Sequence, residues 1–182
     1  MTTTPHSRIA AETIAPVAWQ SAVMEIVGPA ESTHILGAQP APWQGALERL
    51  QQRYGVKPGL GVGWRIGRAF ARYALVLAAE EAGFRAPDFR FLPWPRKMPE
   101  GMQRLARLTS QWFGVEVRVT AAPDAVYWHA GHCPFGRVEH PCTPWMGFLQ
   151  EALYGLSGGH WFAVQSEPDA RCVLRVPRRP VY

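Results

Sequence analysis

Apolar residues recur with a helical period along most of the chain and with a strand period near its end. Residues 43–54 place Trp43, Ala46, Leu47, Leu50 and Tyr54 on one stripe of an amphipathic helix, which Gly55 then stops. Residues 60–83 form the longest helical candidate. Ile66, Phe70, Tyr73 and Leu77 share a face there, and Leu75, Val76 and Ala79 thicken it, so this helix is expected to be largely buried. A third amphipathic helix is predicted over 99–113, with Met102, Leu105, Leu108 and Trp112 inward and Pro99 and Glu100 suited to its first turn. Residues 84–97 are rich in proline and aromatics and read as an extended loop laid on apolar surface.

The period changes after Gly114. Residues 115–120 alternate strictly and predict a strand; 125–130 follow the Pro123-Asp124 turn and complete a hairpin. Residues 131–142 contain Pro134 and Pro141 and read as irregular. Residues 143–156 predict a helix with Thr143 as N-cap, Pro144 at its first position, and Trp145, Phe148, Leu149, Ala152, Leu153 and Leu156 apolar. Two strands, 160–166 and 171–176, flank a turn at Glu167-Pro168-Asp169. At the other end, 1–15 read as a loose arm, and 16–42 suit a short helix or an edge strand equally well. Helices first and then β-β-α-β-β predict an α+β fold, a helical N-terminal half packed on an antiparallel sheet. The expected organisation is an arm with short elements over 1–42, one ligand-binding domain over 43–176 and a tail over 177–182.

Composition agrees with one globular domain: 182 residues, 47% hydrophobic and 18% charged. It excludes a disordered chain, a collagen, a coiled coil and a disulfide scaffold. No apolar run reaches the roughly 18–20 residues of a membrane span. The first residues carry Arg8 alone as a cation and no continuous apolar stretch, so no signal peptide is expected and a cytoplasmic location is. The net charge is +5, and all but Lys57 and Lys97 of the 19 basic residues are arginine. Arg65, Arg68 and Arg72 share a helix face, either an anion-facing stripe or a solvated surface. No basic motif interleaved with aromatics points to nucleic acid.

Several chemical motifs fail on inspection. Gly59, Gly61 and Gly63 do not make a phosphate loop, and small residues for close helix packing explain them better. Ser157, before Gly158, reads as a helix C-cap and not as a nucleophile. Asp88, Asp124 and Asp169 are the only aspartates, all in turn contexts, which leaves little for a carboxylate-pair hydrolase or a magnesium enzyme. The segment 129–142, HAGHCPFGRVEHPC, is richest in chemistry. Cys133, Cys142 and the later Cys172, with His132, His140 or His160, supply the nitrogen and sulfur donors of a tetrahedral zinc site. The same residues also read as small buried hydrophobes with surface histidines, or as a Cys–His catalytic pair. Trp128, Trp145 and Trp161 lie in the C-terminal β-α-β region and suit the wall of an apolar small-molecule pocket.

Residues 142–159, CTPWMGFLQEALYGLSGG, followed by a strand and then EPDARCVLRV (167–176), resemble the 4-vinyl reductase, or hydrocarbon-binding, domain family. In that family a Cys opens a helix with a Gly-aromatic-Leu pattern, which leads to a hairpin and a second Cys; Cys142, Gly147, Phe148, Leu149 and Cys172 stand at matching places. The resemblance implies an α+β fold shared with the palmitate-binding subunits of a membrane-tethering complex and similar to the haem-binding nitric-oxide sensor domains. It implies an apolar ligand in an internal pocket and a structural zinc held by cysteines and a glutamate. One branch of the family is tied to bacteriochlorophyll synthesis. The zinc pattern is incomplete here, because Val164 stands where the family has a further Cys and the glutamate falls near Trp161. Cys133, Cys142, Cys172 and His132 are therefore the expected ligand set.

The function expected is a small-molecule-binding protein, for a hydrophobic, aromatic or tetrapyrrole-like ligand, with zinc as a clasp. Its pocket is expected between the long helix and the C-terminal sheet. Trp64, Phe70, Tyr73, Trp112, Trp128, Trp145 and Phe148 would line it, with Arg65 or Arg68 on a ligand carboxylate. The chain reads as a binding module more than an enzyme. The alternatives are a bacteriochlorophyll-synthesis accessory or 4-vinyl reductase-type enzyme, and a Cys- or zinc-dependent hydrolase. A homodimer is expected, and neither nucleic acid nor membrane is expected as a partner.

Overall fold

The computed structural model describes residues 11–136, 142–167 and 172–181. Among them the chain runs α1 (Ala11–Val27), α2 (Pro29–Ile35), α3 (Ala46–Tyr54), α4 (Val56–Ala78), α5 (Pro87–Arg90), α6 (Trp94–Phe113), β1 (Val117–Ala121), β2 (Ala125–Ala130), α7 (Thr143–Ser157), β3 (Gln165–Ser166) and β4 (Val173–Pro177). The fold is α+β, a helical part against a small antiparallel sheet of strand order β1-β2-β4-β3. No helix of the described residues is long and apolar enough to cross a membrane.

Helix α4 is the central rod, packed along its length against α1 and α7 and near its start against α3. Its buried face is Gly59, Gly63, Ile66, Gly67, Phe70, Ala71, Ala74 and Ala78. Glycine and alanine carry most of that face, so neighbouring backbones come close. A Cβ added at Gly67 would land on the Pro144 carbonyl, and one added at Gly147 on the Trp64 carbonyl. Gly59, Gly63 and Gly67 thus serve close packing of α4 on α3 and α7, whereas Gly61 is exposed and packs on nothing. With small residues inside, Tyr73, Val76 and Leu77 of α4 point out, at 39, 72 and 41% exposure. This corrects the inward face drawn through Tyr73 and Leu77. The helix also begins earlier than expected, because Pro58 sits in its first turn, where its missing N–H is harmless. It ends at Ala78, not at residue 83.

Residues 11–27 are helical where the pattern suggests an arm up to residue 15. Ile14, Ala15, Ala18, Trp19, Ala22 and Val23 are buried, neighbouring pairs repeated every four residues. Half of that stripe is alanine, too weakly apolar to stand out, and Pro16 interrupts it. The 16–42 stretch resolves as helix up to Ile35, with Pro29 opening α2.

Helix α6 starts a turn before the predicted boundary and swallows the end of the supposed 84–97 loop. Pro99 inside it lacks the N–H that would bind the Pro95 carbonyl. Arg178 Nη1 donates to that carbonyl instead, at 3.1 Å. Arg178 Nε donates to the Ala122 carbonyl at 2.8 Å, so the segment after β4 is fastened to α6 and to the β1–β2 turn.

β2 is a central strand. Val126 pairs with Val176 and Trp128 with Leu174, and all four are buried on one face. The strand predicted over 160–166 pairs only at Gln165–Ser166, plus one bridge between Trp161 and Val181. In α7 the N-cap position is Cys142, and Thr143 lies inside the helix. Ser157 Oγ donates to the Tyr154 carbonyl at 3.1 Å and accepts from the His160 N–H at 3.0 Å, holding the turn at the helix end.

Candidate ligand-binding site

Where the helices meet the sheet, nine rings form one contact network: Trp19, Trp43, Phe70, Trp112, Phe113, Trp128, Phe135, Trp145 and Phe148. Phe70 is central, with ring centroids 5.9 Å from Trp19, 5.9 Å from Trp112 and 5.6 Å from both Phe113 and Phe148. Trp145 closes the other side, 5.4 Å from Trp128, 5.5 Å from Phe135 and 5.2 Å from Phe113. Phe135 reaches this core from the irregular segment after β2. Its carbonyl accepts the Leu47 N–H at 3.0 Å, and Gly136 follows at φ 147°, a backbone region open to glycine, with the Glu48 carboxylate against it. Phe113, the last residue of α6, is the partly exposed ring of the network.

Four indole N–H groups in this network, those of Trp19, Trp112, Trp128 and Trp145, have no hydrogen-bond partner. Their side chains are 0, 6, 0 and 0% exposed. Buried tryptophans ordinarily find an acceptor, and an unmet buried donor costs roughly 1–3 kcal/mol. Two buried hydroxyls are spent locally, Ser32 donating to the Pro29 carbonyl and Thr109 to the Leu105 carbonyl, while Thr143 Oγ1 is buried without a partner.

Of the residues singled out in the sequence, Phe70, Trp112, Trp128, Trp145 and Phe148 come together in this core. Trp64, Arg65, Arg68 and Tyr73 stand on other faces of α4. The Arg68 guanidinium lies between the Trp64 and Trp161 rings, 5.0 and 4.7 Å from their centroids, and Nε donates to Glu151 at 2.8 Å. Arg65 is exposed. The Tyr73 hydroxyl donates to Glu25, which raises its pKa. Arg72 bridges Glu25 and Glu151. Beside these pairs an open groove of about 270 Å³ runs between α4 and α7, lined by Leu75, Val76, Ala79, Arg85 and Tyr154 among others. Trp19, Trp43, Phe113 and Phe135 are outside the expected pocket set: Trp19 lies in a stretch that suits helix and strand equally, Phe135 in one read as irregular, and Trp43 and Phe113 at the ends of predicted helices.

The zinc clasp is not supported. Cys133 and Cys142 are joined as a disulfide, with Cα atoms 6.3 Å apart, so neither sulfur is a thiolate ligand. His132 is exposed, and Cys172 stands in the turn before β4, where its carbonyl accepts the Ala130 N–H at 3.0 Å. No group of three or more His, Cys, Asp or Glu among the described residues is placed to hold a metal. Glu139 and His140 lie outside the described residues. The disulfide also removes Cys133 as the nucleophile of a Cys-dependent hydrolase. Dialysis of the purified domain against a strong chelator is expected to leave its melting temperature unchanged; a fall reversed by zinc would restore the clasp.

No protein-family model matches the sequence, and no curated protein matches it significantly. Solved structures do match its fold. A doubly substituted Tt H-NOX domain superposes with a TM-score of 0.53 and 13% identity over 94% of this chain and 96% of the other. A singly substituted Tt H-NOX gives 0.52 and 12% over 91% and 94%. At this identity the likeness establishes the fold alone: the chain has the α+β fold of H-NOX domains. The resemblance to 4-vinyl reductase domains is overturned, because the matching structures are H-NOX domains, and the bacteriochlorophyll reading falls with it.

That fold implies a haem, and the described residues do not fit one. Haem iron needs an axial His, Cys, Met or Tyr. No His or Tyr among the described residues is buried, and Cys142 is tied to Cys133. The core face of α6 offers Met98, Met102, Leu105, Leu108 and Trp112. Met98 and Met102 are thioethers with no buried histidine among the described residues to complement them. The nine rings pack against one another through the space between the helices and the sheet.

Proposed function

We propose that this domain binds a small, apolar, ring-sized molecule in its aromatic core, without haem. The supporting observation is the make-up of that core: nine rings in contact at the junction of α1, α4, α6, α7 and β2, the kind of lining that small-molecule sites have. Phe113 is the way in. It is partly exposed, ends α6 beside Gly114 at φ 64°, and covers Trp43, Phe70, Phe135 and Trp145. Rotation of this one ring uncovers the inner ones while the helices stay in place. The ligand is smaller than a tetrapyrrole, since it must displace rings already in contact.

Two titrations test the reading. Haemin added to the purified domain is expected to give no stoichiometric Soret shift, and a neutral aromatic such as α-methylstyrene is expected to quench tryptophan fluorescence saturably. One haem bound per chain would overturn the haem-free part. Failure of neutral aromatics of one or two rings to saturate would overturn the binding part.

A further inference from the structure

We infer that the ligand of this core is a neutral molecule that carries a hydrogen-bond acceptor: a ketone, quinone or ester on an apolar frame. The inference rests on the reading that the core takes a guest, and it names what the guest must carry. Tryptophan is a donor only. Trp19, Trp112, Trp128 and Trp145 bring four buried N–H groups with no acceptor, while the buried hydroxyls of Ser32 and Thr109 are turned to carbonyls of their own helices. The unmet hydrogen-bonding capacity of the rings themselves is therefore that of donors. A carbonyl oxygen satisfies it. Trp128 and Trp145 are the pair to which the structure assigns the carbonyl, because they are neighbours, 5.4 Å apart, at the junction of β2 and α7. Trp19 and Trp112 flank Phe70 and bound the apolar frame.

Acetophenone and α-methylstyrene differ only by C=O against C=CH2, so they isolate this bond. In ¹⁵N-labelled wild-type protein both probes are expected to saturate. Only acetophenone is expected to move indole N–H resonances downfield, and those of Trp128 and Trp145, identified through Trp128→Phe and Trp145→Phe, are expected to move most. In either variant that folds, the ketone-to-alkene affinity ratio is expected to fall about tenfold while alkene affinity holds. Equal shifts with both probes, or ketone binding that leaves the indoles unmoved, would overturn the inference and leave the binding reading standing. Saturation by neither would overturn the binding reading itself.

Discussion

Alanine at Gly147 is expected to destabilise the domain severely. Its new Cβ falls on the Trp64 carbonyl, and the Arg68 amide nitrogen lies 3.0 Å away. Overpacking a core costs about 1–3 kcal/mol when side chains can yield. Here backbone blocks relief, and α4 cannot back away without parting from α1 and α3, so the loss is expected to exceed about 3 kcal/mol. At roughly 2–4 °C per kcal/mol for a domain this size, the melting temperature should fall by about 10 °C or more. Gly67→Ala, whose Cβ meets the Pro144 carbonyl across the same crossing, should do the same. Gly61 supplies the control: it lies in α4, is exposed, and a Cβ there meets nothing within 4 Å. Gly61→Ala is expected to stabilise by about 0.5–1 kcal/mol through helix propensity. Thermal denaturation of the three variants decides it, and a Gly147→Ala protein as stable as the parent would show that the helices do not cross as described.

Trp145→Ala is expected to be the costliest side-chain truncation. The ring is fully buried and touches Phe113, Trp128, Phe135 and Phe148. Removing it costs about 3–5 kcal/mol in lost burial and cavity. A dry aromatic hole of this kind takes up benzene-sized guests. Denaturant unfolding with and without benzene should therefore show a large loss partly recovered by the guest. A loss under about 1 kcal/mol would mean that the core repacks around the gap, against the tight ring network described.

Much of the fold is readable in the chain because its elements repeat strongly. Helices α3, α6 and α7 carry large apolar residues at helical spacing, and the β1–β2 hairpin alternates around Pro123-Asp124, so each lies close to where periodicity puts it. Hydropathy fails where small residues do the packing. In α1 the buried stripe is half alanine, and in α4 glycines and alanines take the inside while Val76 and Leu77 face out. A pattern that weighs side chains by apolarity finds the bulky outer face first.

The candidate site divides along the same line. Trp128, Trp145 and Phe148 fall on regular elements whose inward face is set by period, and they are in the ring network. Trp19 and Phe135 are as central, yet one sits on an alanine-rich helix and the other between prolines and a disulfide. Arg68 looks free for a ligand carboxylate in the sequence, but Glu151, 83 positions away, already holds it. The zinc reading counted donor types along the chain, whereas coordination depends on where they meet, and two of those sulfurs meet each other.

Arg178 gives the molecule a mechanical property. One guanidinium grips the Pro95 carbonyl that Pro99 leaves open and, through Nε, the Ala122 carbonyl of the β1–β2 turn. Tension on the backbone beyond β4 is therefore delivered to two places at once, the first turns of α6 and the tip of the hairpin. Phe113, over the aromatic core, lies at the far end of that same helix. The Arg178 clamp and the ring beside the core therefore stand at opposite ends of one helix.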